Sequence, residues 1–283
     1  MKSLPFALLL AAPLAAHAVQ ITAGTAEYVT FRDCVPGATH CDSISPIVAG
    51  QYGGNPGAYA SSATQNFAGY GSASGSVSLS GAVGAPVLHA SATSDAGKRA
   101  NTNSVALQSY TYTGSTATTR TFGGTLGYSQ SLAGVYPGDG ATGVNAMIDA
   151  FTLTAASIDA GSDAQSNFDA LFSEPFATDP WLGYVDLGQD TFSDNASTAA
   201  GTANLGVTLT LTPGETIWLY VLLQTPAVDG SVIDASHTLV TGWNDTTDLV
   251  AGGTAAPVPE PSSLALFGAG LAALGVARRR RAR

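Results

Sequence analysis

Residues 205–225, LGVTLTLTPGETIWLYVLLQT, constrain the fold more than any other part of the chain. Val207, Leu209 and Leu211 alternate with Thr208, Thr210 and Thr212, so a strand here has one apolar face and one hydroxylated face. Thr212-Pro213-Gly214-Glu215 is a turn in which Pro213 suits the first corner and Gly214 the corner needing φ > 0. The spacing predicts a hairpin whose second strand covers 216–224. That strand carries Ile217, Leu219, Val221 and Leu223 on one side and Trp218, Tyr220 and Leu222 on the other. A strand apolar on both sides must be central and covered twice, as in a sandwich.

Further strands are expected at 25–31, 75–81, 87–93, 105–113, 117–122, 144–153 and 237–241, with Asp229-Gly230 as another turn. Short strands between Gly, Pro and Asp clusters indicate an antiparallel, all-β, jelly-roll-like sandwich over 19–250 rather than βαβ units. One short helix is predicted after the capping box Ser162-Asp163-Ala164-Gln165, with Phe168, Leu171 and Phe172 on one face. Residues 50–85 are rich in small side chains, and their first half reads as a long loop. Tyr52, Tyr59 and Tyr70 there either stack on sugar rings or anchor the loop to the sheet.

Both ends carry processing signals. Residues 1–18 combine Lys2, an apolar run and the small-x-small site Ala16-His17-Ala18, the pattern of a signal peptide cleaved between Ala18 and Val19. The apolar run is shorter than the roughly 20 residues of a spanning helix, which weighs against an N-terminal anchor. After a linker at 251–257, residues 262–277 are almost free of polar groups and as a helix reach about 24 Å, just enough to cross a membrane. Arg278, Arg279, Arg280, Arg281 and Arg283 follow and resist translocation, which holds the C-terminus in the cytoplasm and the body outside.

Pro259-Glu260-Pro261, the apolar stretch and the Arg cluster, in that order, make 258–283 resemble the PEP-CTERM sorting tail of Gram-negative bacteria. The resemblance covers about a tenth of the chain. It implies an exosortase, a membrane-embedded protease-transpeptidase, as processing partner, transient anchoring by the C-terminal helix, and delivery to the cell surface or an exopolysaccharide matrix. Physically, Pro259 and Pro261 bar a helix from running into the membrane segment and hold Glu260 in an extended stretch that a protease can take.

Removing both tags changes the charge. Of ten basic residues only Arg32, Lys98, Arg99 and Arg120 stay, against nineteen of the twenty acids once Glu260 is set aside, leaving a body near −15. Such a surface repels nucleic acid and acidic polymers unless divalent cations intervene. It also serves simple solubility in a crowded matrix.

Cys34 and Cys41 flank Pro36-Gly37, and an oxidising destination favours a local disulfide that stabilises by about 2.5 kcal/mol. Zinc held with His40 and Asp42 competes, but the spacing fits no standard site. His40, His89 and His237 lie in no nucleophile context, and no G-x-S-x-G, H-E-x-x-H or phosphate loop occurs, so no catalytic residue is assigned. A glycosidase leaves no local trace, because its two carboxylates come from distant segments. Asp186, Asp190 and Asp194 recur every fourth residue in what reads as an acidic loop, and Asp229 and Asp234 flank a turn. They are either calcium ligands or a solvated face. The expectation is a secreted, non-enzymatic surface or matrix protein without a required cofactor; the alternative is a glycan-binding module, in a calcium-dependent form if the aspartates converge.

Overall fold

The computed structural model describes residues 22–33, 47–56, 59–81, 83–133, 142–153 and 184–252. The chain divides into two units, Met1–Gly253 and Thr254–Arg283, and every described residue belongs to the first. The expected signal helix, the 162–172 helix, both cysteines and the C-terminal helix lie outside the described residues.

All regular structure described is β: β1 (Ala23–Asp33), β2 (Ile47–Pro56), β3 (Ala60–Phe67), β4 (Gly71–Ser80), β5 (Ala85–Ser94), β6 (Lys98–Tyr112), β7 (Thr118–Ser131), β8 (Val144–Leu153), β9 (Tyr184–Asp194), β10 (Thr198–Leu211), β11 (Thr216–Gln224), β12 (Ala227–Val228), β13 (Val232–Trp243) and β14 (Leu249–Ala251). One antiparallel sheet runs β2-β1-β6-β11-β8-β9, with β12 and β14 also pairing β6; a second runs β10-β7-β13-β5-β4-β3. Their facing side chains meet in one core, where Val29, Phe31, Ala106, Tyr110, Ile148, Leu219 and Val221 of the first sheet pack with Val77, Leu88, Phe122, Leu126, Leu209 and Leu239 of the second.

β11 takes the interior position its sequence demands, between β6 and β8, with Ile217 to Leu223 buried on both faces. Its far face joins Trp218, Tyr220 and Leu222 to Ala26, Val105, Leu107, Met147 and Phe151 in a separate apolar cluster. Burying each large side chain contributes about 1.5–3 kcal/mol. β10 differs: from Ala203 onward its residues alternate buried and exposed, so it lies over the core with one face in water.

That difference overturns the hairpin. The turn forms as read, with Gly214 at φ 82° and the Glu215 N–H donating to the Thr212 carbonyl at 3.0 Å. Yet β10 pairs with β7 and β11 with β6 and β8, so the turn carries the chain from one sheet to the other. A strand half-wet and a strand dry on both faces do not belong in the same layer position.

Two stretches expected to be irregular are strands. The first half of 50–85 forms β2 and β3, and the acidic run forms β9. Small residues weaken strand propensity, but here they permit close layering. A Cβ on Gly75 would lie 2.1 Å from the Glu27 carboxyl of the opposite sheet. Backbone pairing and close approach outweigh propensity at such places.

Candidate functional site

The acids predicted to form a site are occupied one at a time. Residues four apart in a strand lie about 13 Å apart, so Asp190 and Asp194 of β9 are too distant to share a calcium whose ligands sit at about 2.3–2.6 Å. Asp186 Oδ1 accepts the Gly188 N–H at 2.7 Å, beside a bulge where β9 slips against Ala150 and Phe151. Asp190 Oδ2 accepts the Gly206 N–H of β10 at 2.8 Å, joining the two sheets at that end. Asp194 is the hub of the same corner: its carboxylate accepts the Tyr128 hydroxyl at 2.5 Å, the Gln130 amide at 3.2 Å and the Ala196 N–H at 2.8 Å. Donating to that carboxylate raises the Tyr128 hydroxyl pKa to about 12.

Asp229 and Asp234 are likewise separate. Asp229 Oδ1 accepts the Gly97 N–H at 2.8 Å, and Asp234 Oδ1 accepts the Ser236 N–H at 2.8 Å inside a bulge of β13. Among the described residues, no three His, Cys, Asp or Glu side chains converge on a point that could hold a metal.

The tyrosines do not share a platform. Tyr59 is exposed, whereas Tyr70 packs 4.8 Å from Phe67 and lies under the Lys98 ammonium at 4.4 Å. Lys98 in turn pairs with Asp33 at 2.6 Å, so Tyr70 fastens the β3–β4 turn to the end of the first sheet. Tyr52 is in β2, its side chain outside the description. His89 Nδ1 sits 2.8 Å from the Ser236 carbonyl and 3.0 Å from Thr238 Oγ1, bracing the β13 bulge, where Thr238 adopts φ 84°. His40 and the His237 side chain fall outside the described residues.

Two acids that the sequence reading passed over are the most perturbed. Glu27 lies between the sheets with no exposed surface, and burial raises its carboxyl pKa to about 9 against the opposing effect of Ser104. Ser104 Oγ is 2.8 Å from both Glu27 Oε2 and the His89 carbonyl, and it has one proton to give. A neutral Glu27 resolves the conflict: its O–H donates to Ser104, and Ser104 donates to the His89 carbonyl. The signal was present, since Glu27 has the inward parity of Val29 and Phe31 in the expected strand. On the far face of the same sheet, burial and then the charge of Asp186 raise Asp149 to about 6, with the Ala150 N–H opposing. Burial alone raises Glu27, whereas Asp149 also feels the neighbouring Asp186 carboxylate on β9. In both, burial within a packed sheet is the largest cause.

The described residues thus form an all-β domain of two antiparallel sheets in which the aspartates expected to share a site each serve a hydrogen bond of their own. Residues 257–281 match the family model of the PEP-CTERM protein-sorting motif, a span that includes Pro259, Glu260, Pro261 and Arg278 to Arg281. The chain therefore carries a sorting tail of the kind that implies export and sorting to the Gram-negative cell envelope. No curated protein matches the chain. Among solved structures, the enzymatically active domain of tailspike protein 4 of bacteriophage CBA120 overlaps 66% of this chain and 20% of its own, at 7% identity and a TM-score of 0.22. So loose an overlap carries no argument. Among the described residues, no helix is long and apolar enough to cross a membrane.

Proposed function

We propose that this chain is a secreted, non-enzymatic component of the cell surface or exopolysaccharide matrix, a jelly-roll-like β-sandwich delivered by an exosortase that removes its tail. The sorting motif at 257–281 carries the reading. The body supports it: Asp186, Asp190 and Asp194 each accept a different backbone or side-chain donor, and Tyr70 and His89 brace a turn and a bulge. In this reading, residues 1–18 are cleaved between Ala18 and Val19, the C-terminal helix anchors the chain transiently, and Arg278 to Arg281 stop its transfer. Cys34 and Cys41 close a local disulfide in the oxidising space outside.

Intact-mass spectrometry on membrane, surface and medium fractions of the producing bacterium tests it. The surface form should start at Val19 and lack the arginine cluster. Surface protein that retains Arg278 to Arg283 would overturn tail processing.

A further inference from the structure

Among the described residues four strands end the two sheets, and three of them are protected. β9 carries three aspartates and a bulge, and β10 is capped where Gly206 donates to Asp190. β2 contains three glycines and ends at Pro56. Charges, bulges, proline and coverage are the ordinary means by which an edge avoids pairing with another chain.

Among the described residues, β3 carries no charge, bulge or proline, and besides β4 its neighbours are β1 and β2 of the other sheet. Its sequence, ASSATQNF, holds no charge, Pro or Gly, and it pairs with β4 in unbroken register from Ala60↔Ser78 to Phe67↔Gly71. On its other side no strand among the described residues pairs with it. Ala63 is buried and Phe67 packs 5.8 Å from Phe31 and 4.8 Å from Tyr70, which holds the strand straight against the core. Ala60, Ser62, Thr64 and Asn66 are exposed. β3 also lies within an uncharged run: from Ser43 to Ser94 there is no Asp, Glu, Lys or Arg. In a body near −15, this is where two copies meet with least repulsion.

We propose that β3 is a homotypic docking strand: two copies of this chain pair β3 with β3, antiparallel about a two-fold axis, continuing the second sheet through both. The two-fold requires that exposed residues face exposed residues, which sets Ser62 against Thr64 when the axis passes Ala63, or Thr64 against itself one residue further on. Hydroxyl pairs of this kind are favourable across strands, whereas like charges directly opposite are not. The pairing deepens the surface or matrix role proposed above, as a means of cohesion between copies, and rests on that role only for its biological use.

The test is sedimentation velocity on the full chain in detergent, from about 1 to 100 μM. The unmodified chain should dimerise with concentration. Ser62→Lys with Thr64→Lys, and Ser62→Glu with Thr64→Glu, should each weaken dimerisation about ten-fold or more, about 1.4 kcal/mol. An equimolar mixture of the two should restore it. Thr208→Lys with Thr210→Lys, exposed on β10, should leave it unchanged. Hydrogen exchange gives a readout on the unmodified chain alone: amides of residues 60–67 should gain protection as concentration rises. A monomer throughout, association that survives both charged variants, as tail-driven contact would, or a mixture that stays apart overturns the proposal. None of these outcomes touches tail processing, which is read by mass.

Discussion

Between Thr25, Val29 and Ser104, with Gly75 pressing from the facing sheet, the carboxyl of Glu27 has no water to ionise into. Its pKa of about 9 in the fold stands well above the roughly 4.3 of an unfolded chain. Across that window the folded state binds the extra proton, so the stability Glu27 contributes is fully present below about pH 4 and is lost as pH rises through about 9. Asp149 acts with the same sign between about 4 and about 6. Urea unfolding should therefore show stability falling by up to about 1.4 kcal/mol per pH unit between pH 6 and 9. Glu27→Gln, which keeps the shape and cannot ionise, should flatten that slope and be more stable than the unmodified chain at pH 8.5. An unchanged slope in the variant would show that Glu27 is charged in the fold. Residue parity made Glu27's inward position readable from sequence; its protonation was not, because it depends on Gly75 and Ser104 closing over it from other strands.

At the scale of elements, strong periodicity was legible and pairing was not. β8 and β11 occupy 144–153 and 216–224 as their alternation indicates. β2, β3 and β9 were obscured by small or acidic residues, which disfavour strands locally and are held in them by ladders to distant segments. The turn at 212–215 shows the limit well. Its chemistry was readable from Pro213 and Gly214, but whether it joins neighbours or crosses between layers depends on the partners β6, β7 and β8. Because Gly214 sits at φ 82° with open space around its Cβ position, Gly214→Ala should cost only the backbone term, about 1 kcal/mol by thermal or urea unfolding. A much larger loss would mean that the layer crossing itself, rather than one residue's conformation, depends on that glycine.

For the whole molecule, the legible part of function was linear and the rest was topological. The sorting tail is a contiguous run, so its order of motif, apolar stretch and arginines survives in the sequence. An open sheet edge exists only once the strands have chosen neighbours, and an uncharged stretch gains meaning only when it forms that edge. The two levels meet in electrostatics. A body near −15 repels its copies at long range, while β3 presents no charge at contact. Added salt shortens the screening length from about 30 Å at 0.01 M to about 10 Å at 0.1 M and weakens the long-range term without touching backbone hydrogen bonds at the edge. Self-association should therefore strengthen as NaCl rises from about 10 to 150 mM and then level off, since further salt has little repulsion left to screen. Calcium and magnesium should match NaCl at equal ionic strength, because Asp186, Asp190 and Asp194 each serve a different donor rather than a common ion. Association that weakens with NaCl would mean opposite charges hold the copies together, and the contact would then lie on the charged part of the body instead of on β3.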